Sequence, residues 1–88
     1  MLLSQIEELV FEKIEEKLDY YNLCDEFDKD TIFDDIKMDN IDVLDISVDM
    51  EYEFEKQFNI KIDLMSRDIN KIKTVQEMID IFYERGNK

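Results

Sequence analysis

The chain has 88 residues, 44% of them hydrophobic and 40% charged, with a formal net charge of −13; that is room for one domain around a single core, folded but self-repelling. Such a field disfavours nucleic acid and anionic membrane as partners and favours encounter with a basic protein surface, through an attraction that salt weakens. Histidine is absent and Cys24 is the sole cysteine, which removes the commonest general base, any internal disulfide and any thiolate metal cluster; the chain reads as a non-enzyme with no metal site.

Proline is missing and Gly86 is the only glycine, so element boundaries must be read from caps and from changes in periodicity. Ser4 followed by Glu7 fits a capping box, and Leu2, Leu3, Ile6, Leu9, Val10, Ile14 and Leu18 recur at steps of three and four, predicting a helix from Ser4 to Tyr20. Between Tyr21 and Met38 the helical period lapses. A long loop is expected there, pinned across the core by Leu23, Phe27, Ile32, Phe33 and Ile36. Asp39 can cap a second helix, with Asp42 as the capping-box acid, running to about Gln57.

That second helix carries two apolar stripes, Val43, Ile46, Met50 and Phe54 on one and Ile41, Leu44 and Val48 on the other. One stripe suffices for a core. Residues 58–63 alternate as a short extended segment, Ser66 with Asp68 can start a brief third helix through Asn70, and Thr74 caps a last helix whose Val75, Met78, Ile79, Phe82 and Tyr83 share a face. The expected fold is all-α, four helices of unequal length with a long loop between the first two. The aromatic rings of Tyr20, Tyr21, Phe27, Phe33, Phe54 and Phe58 are expected in the interior.

Residues 31–46 read Thr-Ile-Phe-Asp-Asp-Ile-Lys-Met-Asp-Asn-Ile-Asp-Val-Leu-Asp-Ile. They resemble the attachment-site segment of acyl carrier proteins, whose pattern is Phe-x-Asp-Leu-Gly-x-Asp-Ser-Leu-Asp. Phe33, Asp35, Ile36, Met38, Asp39, Ile41 and Asp42 stand in register, with Asn40 at the position of the serine. Two later segments extend the resemblance: Met50 to Asp63 is similar to the end of the family's second helix, and Lys71 to Phe82 to its Lys-Ile-x-Thr-Val run. From Asp39 to Phe58 the chain is about four residues longer than usual, which one added helical turn absorbs. A competing register sets Asp42 to Asp45 on the motif and Val43 at the serine position; neither register supplies a serine.

The resemblance implies an acyl-carrier-like four-helix bundle. In the family that serine receives 4′-phosphopantetheine, whose thiol carries acyl chains. The carboxamide nitrogen of Asn40 is delocalised and barely nucleophilic, so no prosthetic arm is expected here, and Asn40, Asp39 and Ile41 mark a degenerate attachment site. Ser47, inside the second helix, is the alternative attachment residue; Ser4 and Ser66 read as helix caps. The resemblance also implies docking through the second helix on enzymes of fatty-acid, polyketide or related thioester metabolism, by way of Asp39, Ile41, Asp42, Leu44, Asp45, Val48, Asp49 and Glu51.

Two alternatives stay open beside this non-carrier homologue: a true carrier modified at another serine or with serine natively at position 40, and an acidic adaptor or inhibitor that occupies a basic partner surface. Asp25, Asp28, Asp30, Asp34 and Asp35 crowd the loop without the spacing or glycine of a calcium hand, so counterion attraction is expected there rather than a specific site. The first residues lack a basic run leading into an apolar one, and no stretch is of membrane-spanning length. A cytoplasmic monomer is the expectation.

Overall fold

In the computed structural model, which describes residues 3–23 and 26–87, four α-helices form: α1 (Leu3–Tyr20), α2 (Asn40–Phe58), α3 (Ser66–Ile69) and α4 (Val75–Gly86). No strand occurs among the described residues beyond one isolated bridge, Ile32 with Thr74. The fold is all-α. α1 packs against both α2 and α4, and α3 packs against α2.

The buried residues follow the helical period. α1 contributes Ile6, Leu9, Val10, Ile14 and Leu18, α2 contributes Val43, Ile46, Met50 and Phe54, and α4 contributes Val75, Met78, Ile79 and Phe82. Phe54 sits at the centre, its ring 5.5 Å from Phe82 and 5.7 Å edge-on from Phe58. Residues 58–63 keep their alternation, with Phe58, Ile60 and Ile62 turned toward the core and Asn59, Lys61 and Asp63 exposed, though no strand pairs with them. Leu2 and Cys24 lie outside the described residues.

With glycine absent from the interior, asparagine in left-handed backbone closes α1 and α2. Asn22 and Asn59 take left-handed backbone, φ 57 and φ 54, where a short polar side chain is tolerated better than most. After α2 the Asn59 N–H donates to the Glu55 carbonyl at 3.1 Å and the Ile60 N–H to Phe54 at 3.3 Å, closing the last turn and satisfying carbonyls the helix leaves open.

The caps divide into two that form as read and two that do not. Asp39 and Thr74 each hold a reciprocal capping box, with Asp42 and Glu77 respectively. Ser4 instead lies inside α1, which already begins at Leu3, and Glu7 pairs with Lys29 at 3.0 Å. Ser66 is likewise the first residue of α3, and Met65 precedes it as the cap, its N–H donating to Asp68 at 3.1 Å. In both places the serine lies inside the helix rather than just before it, and so is not placed to accept the orphan amides.

Residues 29–33 are tied to the start of α4 by their backbone rather than by Ile32, whose side chain is exposed. Val75 and Gln76, whose N–H groups open α4, donate to the carbonyls of Thr31 at 3.0 Å and Lys29 at 2.8 Å, and Phe33 donates to Lys73 at 2.9 Å. Orphan amides of a helix start are thereby used to hold a loop. Phe33, Ile36 and Met38 are buried and Leu23 and Phe27 half-buried, as their apolar character requires. Tyr20 and Tyr21 are exposed, contrary to the expectation of a wholly aromatic interior; each is amphipathic enough to lie at the surface. Tyr83 is also exposed, at the edge of α4's buried face.

Asp68 joins α3 to α4, since its other oxygen pairs with Arg85 at 3.2 Å. The Met65 N–H, and after it the positive charges of Arg85, Arg67 and Lys71, hold its carboxyl below the ordinary value against the opposing effect of burial. A depressed native pKa contributes stability above the unfolded value of 3.8, lost as pH falls through the native value. Asp68→Asn is therefore expected to lower the melting temperature at neutral pH and to weaken its decline between about pH 5 and about pH 2, as thermal melts across that range would read.

Candidate functional site

The start of α2 is fixed by the turn before it. Phe33–Ile36 form a 3-10 turn closed by Lys37, whose backbone is left-handed at φ 62, ψ 30, and by the Met38 N–H donating to Phe33 at 3.0 Å. Met38 is buried beneath this turn. Asp39 then takes extended backbone, and its carboxylate accepts from the N–H groups of Ile41 at 3.0 Å and Asp42 at 3.1 Å, while Asp42 accepts from the Asp39 N–H at 3.2 Å. Asn40 is the first helical residue and is exposed.

From there the two stripes of α2 separate as their spacing demands. Val43, Ile46, Met50 and Phe54 face inward, whereas Ile41 is 68% exposed, Leu44 43% and Val48 53%. Tyr52 continues the outer stripe, four residues beyond Val48, and is exposed as well. Reading the same helical step one turn further would have found it.

The N-terminal end of this stripe borders a shallow cleft of about 160 Å³ lined by Asn40, Ile41, Leu44, Ser66, Ile69 and Asn70. Its α3 wall could not be read from sequence, because it depends on how the segment after α2 folds back.

Two of the residues expected at the site are corrected by their burial. Asp42 is only 7% exposed and is used internally, accepting a 2.6 Å bond from the Tyr21 hydroxyl and lying 3.8 Å from the Lys17 ammonium. A carboxylate so engaged is not open to a partner. Ser47 has no exposure at all, and among the described residues its Oγ has no hydrogen-bond partner. It lies on the inner face of α2 beside Ile46 and Met50, so an attaching enzyme cannot reach it, and the bond back to a preceding carbonyl that such a serine often makes is absent.

The remaining acids differ in how far they are committed. Asp39 and Asp49 are exposed. Asp45 holds Lys17 at 3.0 Å, and that hydrogen bond is the chief reason the Lys17 ammonium is held above its ordinary pKa. Glu51 is half-buried and accepts from the Leu64 N–H at 3.0 Å; its partial burial pushes the carboxyl above the ordinary range despite that bond.

No family model, curated protein or solved structure matches the chain. Among the described residues no helix is long and apolar enough to cross a membrane, and no three His, Cys, Asp or Glu side chains gather as a metal site. Asp25 lies outside the described residues.

Phosphopantetheine does not fit the residues present at the start of α2. The exposed first position offers a carboxamide, and the hydroxyl on the same helix is sealed in the core. What the surface can do is bind: an apolar stripe with acids at its margins suits a reversible contact with a basic patch.

Proposed function

We propose that this protein is an acyl-carrier-like interaction domain, without catalytic activity and without a prosthetic arm, that docks through α2 on basic surfaces of enzymes of fatty-acid, polyketide or related thioester metabolism. The observation that carries the reading is the outer stripe of α2: Ile41, Leu44 and Val48 are exposed although the opposite stripe alone completes the core. Asp39, Asp45 and Asp49 flank it.

Three local features support the likeness to acyl carriers. Lys37 stands at the glycine of the family pattern and has the left-handed backbone that favours glycine there. The helix begins at Asn40, the pattern's serine position, whereas the competing register would set buried Val43 there. At 19 residues, α2 also has the length to absorb the extra turn.

Binding tests the proposal. Titration with condensing and acyl-transferring enzymes that carry a basic entrance should give saturable binding that weakens as salt is raised. Leu44→Ala with Val48→Ala should abolish most of it without unfolding the chain, and Asp45→Lys or Asp49→Lys should chiefly slow association. Binding untouched by all of these substitutions would remove α2 as the interface.

A further inference from the structure

Along α1, two open clefts of about 560 and 520 Å³ lie side by side. Phe11 and Glu15 line both. The first reaches to Phe58 at the end of α2, and the second to Leu23 and Phe27 in the following loop. Phe11 is the ridge between them, half-buried and edge-on to Phe27 at 5.4 Å. Each is of the size that receives a bulky apolar group.

The rim carries charge of one sign. Glu8, Glu12, Glu15, Asp19 and Glu26 line the clefts, all are exposed, and among the described residues no Lys or Arg does so. Among the described residues none of these five acids makes an ion pair. The cations of α1 are used elsewhere: Lys13 lies 3.6 Å from Glu53, and Lys17 reaches Asp42 and Asp45, all on α2.

Spacing makes the acids a pattern rather than a crowd. Glu8, Glu12, Glu15 and Asp19 advance by four, three and four residues, so they form one stripe along about 16 Å of helix. Like charges at these steps disfavour the helix that bears them. A second helix laid along the groove would set Lys or Arg at the same steps against them, with apolar side chains entering the clefts on either side of Phe11. A second copy of this chain, with its own charge of −13, is a poor occupant.

We infer that the acid-rimmed groove along α1 binds a basic amphipathic helix of a partner protein. This surface is separate from the outer stripe of α2, and the inference does not depend on the acyl-carrier reading.

The test uses the full chain and a synthetic helical peptide with Leu and Phe along one seam and Lys and Arg at steps of three and four beside it. A scrambled peptide of identical composition is the control. Calorimetry should give saturable one-to-one binding, and NMR shifts should concentrate at Phe11, Phe27 and Glu15. The double substitution Glu12→Lys with Glu15→Lys should weaken binding at least about tenfold while leaving the melting temperature equal or higher, since it relieves repulsion. Equal affinity for the scrambled peptide, shifts confined to Ile41, Leu44 and Val48, or no saturation by about 1 mM would each overturn the inference.

Discussion

Phe54→Ala is expected to destabilise the protein by about 3–5 kcal/mol, the cost of truncating a fully buried aromatic. The ring has no exposure and links α2 to α4 through Phe82, so its loss opens a cavity that the surrounding helices cannot easily fill. A small domain has about 5–15 kcal/mol of stability in total, and a fold with this much self-repulsion sits toward the lower end. Urea unfolding should therefore show a large fall in midpoint, or a chain unfolded from the outset. Leu44→Ala and Val48→Ala, made beside it, should each change stability by about 0.5 kcal/mol or less, as surface substitutions do. If they unfold the protein as severely as Phe54→Ala, the outer stripe is core and the docking surface disappears.

The second large effect is all-or-none. Incubated with coenzyme A and a broad-specificity phosphopantetheinyl transferase, the protein should keep its intact mass, because an amide nitrogen at position 40 has no available lone pair for attack and Ser47 is out of reach. Asn40→Ser should gain a single arm, mapped by peptide analysis to position 40. The physical setting for it already exists: an exposed first helical position after a capped turn, where the positive end of the helix favours a phosphodiester. Efficient modification of the unaltered chain would contradict the non-carrier reading. Failure of the serine variant would instead count against the likeness of residues 33–42 to an attachment segment.

Sequence by itself determined the helices and the division of α2 into two stripes. The reason is that apolar spacing and capping chemistry are local: Asp39 with Asp42 and Thr74 with Glu77 close boxes within four residues, and Val43, Ile46, Met50 and Phe54 share a face wherever the helix goes.

The tertiary structure alone decided which polar groups were used up and which surfaces met. Asp42 resembled the other acids of α2 until Tyr21 and Lys17, more than twenty residues earlier, were folded against it. Ser47 could be judged only once α2's inner face was sealed, and Ser66 reached the cleft beside Asn40 only because α3 packs on α2. The groove along α1 has the same origin. Its stripe of acids is written at helical spacing, but the absence of a neutralising cation depends on where Lys13 and Lys17 reach, and the apolar floor depends on Phe27 and Phe58 arriving from elsewhere in the chain. A one-dimensional pattern fixes which side chains share a face; desolvation and pairing depend on what the rest of the chain brings to that face.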